Sequence, residues 1–275
     1  MSETAVGHSH VRHPTLNSGA VLKVERTTRC FGFRVYGAGV AALGLTCLAF
    51  GDFDPGQAVP ANFPARTSLA YCAGAFMVIA ASAIEWRRTT AWAAAALTLY
   101  YSVFVLLLMH GRLLLRGYSV FGTYEDIALQ LAIAASALIL YASSAQIDGA
   151  IAVRLTRIGR MAFGVCPLIW GGAHFMYMNM TAPLVPKWLP PGQVFWGYFT
   201  GVCFIAAGLA ILVGIRARLA AILLTLMVAS FGVLANGRML VADPSSHFNW
   251  TESALNLALT GAVWVVADSL TQSCQ

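Results

Sequence analysis

Few residues in this chain could do chemistry, and they stand at the edges of long apolar stretches. Glu125 and Glu252 each open the last apolar stretch of one half of the chain. A carboxylate at a helix start is favoured by the helix dipole, and Thr123-Tyr-Glu-Asp126 and Asn249-Trp-Thr-Glu252 both resemble capping boxes. The other reading is a proton acceptor or ligand anchor, because ionisable groups at membrane depth are costly and commonly functional. Arg112 and Arg238 occupy equivalent ends of the third and seventh apolar stretches. Each is expected to pair with the glutamate of its own half, and loss of one partner from a fully buried pair would cost about 3–5 kcal/mol. The alternative partner is an oxyanion such as thiosulfate or a sulfonate, which suits a guanidinium.

His110 and His174 are the histidines that border or enter apolar stretches. Such an imidazole either bonds a neighbouring helix or serves as a quinone-carbonyl donor or proton relay. Trp188, Trp196 and Tyr198 follow His174, where an indole could stack on a bound ring. His174-Phe-Met176-Tyr-Met178-Asn-Met180 could hold copper(I), which prefers thioethers and imidazole. On a helix Met176 and Met180 share a face and Met178 does not, so only an extended exit would gather all three. Methionine as flexible filler is the plainer reading. No metal is assigned.

These residues need elements to position them. Apolar residues make up 59% of the chain and charged residues only 10%, against roughly a quarter charged in a soluble domain. A bilayer span takes about 20 consecutive apolar residues. The apolar stretches predict eight spans, near 30–50, 68–84, 91–110, 125–145, 161–178, 194–213, 219–240 and 251–268. The runs lack the alternation of a membrane β-barrel. The expected fold is therefore all-α and polytopic.

The pattern occurs twice. Val59-Pro60 returns as Val185-Pro186 at a spacing of 126, and Tyr71-Cys-Ala-Gly74 returns as Tyr198-Phe-Thr-Gly201 at 127. His110-Gly-Arg112 returns as Asn236-Gly-Arg238 at 126, and Glu125 returns as Glu252 at 127. Two four-helix bundles of the same orientation follow, since each half has an even number of spans. Residues 1–29 form a polar tail, 30–145 the first unit, 146–160 a cytoplasmic linker and 161–270 the second unit. Inverted repeats, the usual pointer to many secondary transporters, are absent. Ala70-x-x-x-Gly74 and Gly197-x-x-x-Gly201 predict close helix packing. Pro167 with Gly171-Gly172 predicts a kink or a thin spot in the fifth span. The segment Pro183 to Pro191 reads as an interfacial turn or as a lid over a cavity.

The net charge of +6 follows from topology. Twelve basic residues lie in the tail, at the start of the first span and in the loops of Arg87, Arg157 and Arg216, against five on the other side (Arg66, Arg112, Arg116, Lys187, Arg238). The positive-inside rule then places both termini in the cytoplasm, and no nucleic-acid partner is implied. Positions 1–29 lack the apolar core of a signal peptide. His8, His10 and His13 there are loosely spaced. The six cysteines form no Cys-x-x-Cys, which argues against a zinc site or dithiol centre. No catalytic triad order, phosphate loop or dinucleotide fingerprint is present.

The second half, over roughly residues 158–268, resembles the DoxX/DoxD-like bacterial membrane proteins. The resemblance rests on His174-Phe175, Val185-Pro-Lys-Trp188-Leu-Pro-Pro191, Trp196-Gly-Tyr198-Phe-Thr-Gly201, Arg218-Leu-Ala-Ala221 and Glu252. The first half follows the pattern more distantly, with Asp52-Phe53 near the place of His174-Phe175 and Phe63 in place of Trp188. The resemblance implies a four-helix unit, fused here as a tandem pair in a bacterial inner membrane. It also implies an association with quinone-linked oxidation of thiosulfate or with thiol systems. The expected function is a redox subunit passing electrons from a small sulfur compound or thiol to quinone, with a redox partner subunit. The alternatives are a scaffold or apolar-ligand-binding protein and a small-molecule transporter. The working site is expected in the second half, at His174, Trp188, Arg238 and Glu252, with the first half as support.

Overall fold

A computed structural model describes residues 31–271. The polar tail with its three histidines, and Cys30 and Cys274, fall outside the described residues. Those residues fold without strands into long helices. They are α1 (Gly32–Phe50), α2 (Arg66–Ile84), α3 (Thr90–Gly117), α4 (Phe121–Ser144), α5 (Gly149–Met176), α6 (Gln193–Val213), α7 (Ala217–Ala242) and α8 (His247–Ser269).

By length and apolar content, α1, α2, α3, α4, α6 and α7 can each cross a bilayer. α5, with its bent continuation to Leu184, would make a seventh. α8 falls short because it carries Asn249, Glu252, Asn256 and Asp268. Its packing explains how such a helix is tolerated. Thr251, Ala254, Leu255, Ala258 and Leu259 are buried against other helices, so α8 turns much of its surface to protein. The outer faces of the other helices are apolar: Ile79, Trp92, Leu107 and Val233 are well exposed, as lipid contact requires.

Two sequence expectations change in α5. The segment read as a linker is helical from Gly149, capped by the Asp148 carboxylate, which accepts from the Ala150 amide at 2.9 Å. The expected kink at Pro167 does not break the helix. The chain bends instead at Tyr177, by 88°, into the short helical turns Met178–Thr181 and Ala182–Leu184. Gly171 and Gly172 serve close packing. A Cβ at Gly171 would lie 2.7 Å from the Gly201 carbonyl oxygen, and one at Gly172 would lie 2.8 Å from the Phe121 ring.

Each helix packs on the next in sequence, and α8 packs on α1, so the helices close a ring. α4 and α8 also touch across it. α1 packs more extensively on α8 than on any helix of its own half, and one apolar core takes in Tyr36, Ile133, Phe163, Leu224 and Val263. The two expected bundles are therefore joined through a common core. The small-residue pairs mark two close crossings, and α1 and α8 approach more closely still, where a Cβ at Gly261 would overlap the Tyr36 amide nitrogen. A Cβ at Gly44 of α1 would come within 2.6 Å of the Gly74 carbonyl of α2, which matches the Gly171–Gly201 approach of α5 and α6.

At the end holding the Arg87 and Arg216 loops, Arg34 lies 3.8 Å from Glu85. There too the Gly32 amide donates to Asp268 at 2.9 Å, and Arg160 donates to the hydroxyl and carbonyl of Ser269. The opposite end collects most of the polar groups considered next.

Candidate functional site

The connection from α1 to α2 enters the bundle. Asp54 is followed by Pro55 and Gly56, so its carboxylate accepts from the Gly56 amide at 2.8 Å and tightens a helical turn over Pro55–Gln57. That turn carries Phe53, Asp54, Gln57 and Val59 into the interior, against Ala70, Ala73 and Met109. Asp52 stays at the rim, 2.7 Å from Arg66, whose guanidinium also donates to the Val59 and Pro60 carbonyls. The corresponding connection from α5 to α6 stays outside: Met180 and Trp188 are about 70% exposed.

Asp54 meets polar groups from both halves. Gln130 of α4 is fully buried and its amide lies alongside Asp54, outside hydrogen-bond geometry. Tyr100 of α3 donates to Gln57 at 2.9 Å. Glu252 of α8 is within electrostatic reach of Asp54, Asp126 and Glu125, and Asp126 is within reach of His110. Burial pushes the Asp54 carboxyl up to about 6, and the Gly56 amide and Gln130 only partly oppose this. Asp54 Oδ2, His110 Nε2, both amide atoms of Gln130 and Thr251 Oγ1 are buried without hydrogen-bond partners among the described residues.

His110 ends a stretch of α3, Tyr100–His110, that is wound with i→i+5 hydrogen bonds. Its Nδ1 faces the Val105 carbonyl at 3.0 Å, so Nδ1 carries the proton. In the neutral ring Nε2 is then an acceptor. α7 is wound the same way over Gly232–Asn236. Such segments free backbone groups and recur at functional sites. Asn236 uses its amide to donate to the Glu252 carbonyl at 2.9 Å.

The expected ion pairs do not form. Among the described residues, neither Arg112 nor Arg238 has a carboxylate within 4.0 Å, and both are exposed. The glutamates are partly buried on α4 and α8, while the arginine side chains are exposed. The expected capping boxes also shift. α4 starts at Phe121 and α8 at His247, so Thr123 and Asn249 lie inside the first turn. Their side chains donate backwards, to the Gly117 and Asp243 carbonyls, each at 3.1 Å. The cap of α8 is Ser246, which accepts from the Asn249 amide.

The second-half residues stay apart. His174 Nδ1 donates to the Trp170 carbonyl at 3.0 Å and its ring packs on Phe204. Trp196 donates to the Pro190 carbonyl at 2.9 Å, and Tyr198 packs against Phe175. Trp188 projects outward and makes no contact with His174, Arg238 or Glu252 among the described interactions. The copper option lacks its geometry. The exit from α5 is bent helix, Met176 and Met180 are exposed, and Met178 packs toward Gly197. Among the described residues no three His, Cys, Asp or Glu side chains converge for a metal.

Asp54 was missed because it sits in a loop beside Pro and Gly, where aspartate is an ordinary turn former. Gln130 and Thr251 were legible as polar residues inside apolar helices. The chain matches no protein-family model, no curated protein and no solved structure.

Proposed function

We propose that this chain is an eight-span protein of a bacterial inner membrane, with both termini cytoplasmic, built from two DoxX-like units of the same orientation. Recurrent contacts support the tandem reading. Tyr124 donates to the Tyr118 carbonyl and Trp250 to the Pro244 carbonyl, each at 2.8 Å and each 126 positions from its counterpart. Gly44 with Gly74, and Gly171 with Gly201, repeat one crossing at 127. α8 counts as a span because its polar residues are covered by neighbouring helices.

The activity that suits this protein best is that of a redox subunit passing electrons from a small sulfur compound or thiol to quinone. The buried polar cluster around Asp54 carries this reading. Reduction of a quinone takes two electrons and two protons. Oxidation of two thiols to a disulfide supplies two electrons and releases two protons. A site inside an apolar bundle must then hold protons and hydrogen-bond carbonyls. His110 Nε2, Gln130 and Thr251 have unspent hydrogen-bonding capacity, and the carboxylates can hold protons. With Nδ1–H held by Val105, His110 suits proton exchange through Nε2 better than donation from a neutral ring. The test is quinone reduction by purified protein in liposomes, with thiosulfate or a dithiol as donor. Turnover lost in His110→Ala supports the reading, and absence of turnover with every donor overturns it.

A second reading, an apolar-ligand carrier or scaffold, has one observation in its favour. A groove of about 530 Å³ between α6 and α7 is lined by Phe199, Cys203, Leu223 and Met227, with Arg216 at its end. Bound lipid or a co-purifying subunit without turnover would favour it.

A further inference from the structure

We propose that Asp54 is the seat of an exchangeable-proton site within the carboxylate cluster at the acidic end of this bundle. The site does not depend on the redox reading. It would exist in a carrier or a scaffold as well.

The argument begins with what surrounds Asp54. The side chain is 1% exposed. Oδ1 accepts from the Gly56 amide, and Oδ2 has no partner. A buried carboxylate keeps its charge only with donors on both oxygens or a cation close by. Arg66, the cation of this loop, is engaged by Asp52 and by the Val59 and Pro60 carbonyls. The groups within reach are mostly acidic or neutral. Glu252 comes from α8 and Asp126 from α4, with Glu125 of α4 close to both. From α1 comes Cys47, and from α3 come Tyr100 and Tyr101. His110 faces Asp126, and His247 lies at the rim with Asp52 and Arg66. Like charges gathered this closely cannot all stay ionised.

Gln130 supplies the independent sign of a ligand. It is fully buried, and neither of its amide atoms is hydrogen-bonded. Its amide nitrogen lies 2.9 Å from where a Gly56 Cβ would be, which places it against the Asp54 turn. An amide can serve both states of the acid. With Asp54 ionised, the NH2 group can donate to Oδ2. With Asp54 protonated, a rotated amide offers its carbonyl to the Oδ2–H. A hydrocarbon side chain would be cheaper there if Asp54 had one fixed charge state.

A proton fits better than a metal ion. No three His, Cys, Asp or Glu side chains among the described residues converge for a metal. Proton uptake at Oδ2 forms one O–H bond and removes one charge, with the proton drawn from water through the rim of Asp52, Arg66 and His247.

Infrared difference spectroscopy on the full chain in nanodiscs tests this. Wild-type protein at about pH 5 should show a protonated-carboxyl band that fades by about pH 8, and that shifts in deuterated water and on 13C labelling of aspartate carboxyls. The band should be lost in Asp54→Asn, kept in Asp52→Asn and moved in frequency in Gln130→Leu. If Asp54→Asn does not fold, a frequency shift of the aspartate-labelled band in Gln130→Leu, kept unmoved in Asp126→Asn, still decides. A band absent at about pH 5, insensitive to aspartate labelling or unchanged in folded Asp54→Asn would overturn the proposal. So would a band erased by sodium at constant pH, since the occupant would then be a metal cation.

Discussion

Ser136 donates a hydrogen bond to the carbonyl of Ala262 at 3.1 Å, and the two residues are 126 positions apart, the interval that separates the repeated motifs. When residues at equivalent positions of two like units touch, they do so at the axis relating those units. α4 and α8 cross at this point, and Glu125 and Glu252 lie on the same two helices toward the acidic end. On the tandem reading proposed above, an axis there would bring the carboxylates of both halves to one cluster. It also gives α8, with its polar residues, a covered place in the fold.

This contact makes the first prediction. Ser136 is fully buried, so Ser136→Leu should overpack the crossing and cost about 1–3 kcal/mol. Ala262→Leu should cost a similar amount, and the double variant should depart from the sum because the residues share one site. Thermal unfolding in detergent checks this. Additive losses would show that the two residues do not meet.

The arginines make the second. Because Arg112 and Arg238 are exposed and have no carboxylate partner among the described residues, Arg112→Ala and Arg238→Ala should each change stability by no more than about 0.5 kcal/mol. Losses of several kcal/mol in the same unfolding assay would restore the ion pairs read from sequence.

Asp54 gives a prediction with a definite sign. Its carboxyl is raised from 3.8 to about 6 by burial, so the folded state holds the proton over a range where the unfolded chain has released it. Stability from this group is fully present below the unfolded value and is lost as pH rises through the folded one. The loss amounts to about 3 kcal/mol above the folded value. Asp54→Asn should therefore raise stability at pH 7 and leave it nearly unchanged near pH 4. Equal effects at both pH values would mean that Asp54 does not titrate in this window.

Orientation is open to direct measurement. With the positive-inside assignment, Lys187→Cys should react with an impermeant maleimide on intact cells, and Arg157→Cys only after permeabilisation. The reverse pattern would invert the topology and put the acidic end of the bundle in the cytoplasm.

Much of the frame was legible in the sequence, and the centre was not. Apolar runs located the helices to within a few residues, apart from the amino-terminal extension of α5 and the last turns of α3, because burial in lipid demands unbroken apolar length. The small-residue pairs located two crossings, since only glycine admits backbone approaches such as Gly171 to Gly201, but the tighter α1–α8 crossing at Gly39 and Gly261 was not read. Side-chain direction at helix ends was not legible. Arg112 and Glu125 recur together, yet one is exposed and the other partly buried, a choice made by neighbouring helices and not by spacing. Asp54 was hidden for a related reason. Whether a loop lies on a bundle or enters it depends on the space between helices, and the two connections that align in sequence take opposite courses.

That difference also alters where mutations should matter. The sequence favours a working site built on His174 and Trp188. In the fold, Trp188 is exposed and His174 is held by Trp170 and Phe204, away from the acidic cluster. His110, from the first half, and Glu252, from the second, both belong to that cluster. If the protein reduces quinone, His110→Ala and Glu252→Gln should each lower turnover by about 100-fold or more, the usual scale for loss of a proton-transfer group. Trp188→Ala and His174→Ala should keep most of it. The control is an unchanged detergent-stable size profile for every variant, because Glu252→Gln removes charge from a crowded acidic site and should not unfold it. Selective loss in His174→Ala would return the site to the second half, and equal loss in all four variants would mean that both halves of the ring contribute to one larger pocket.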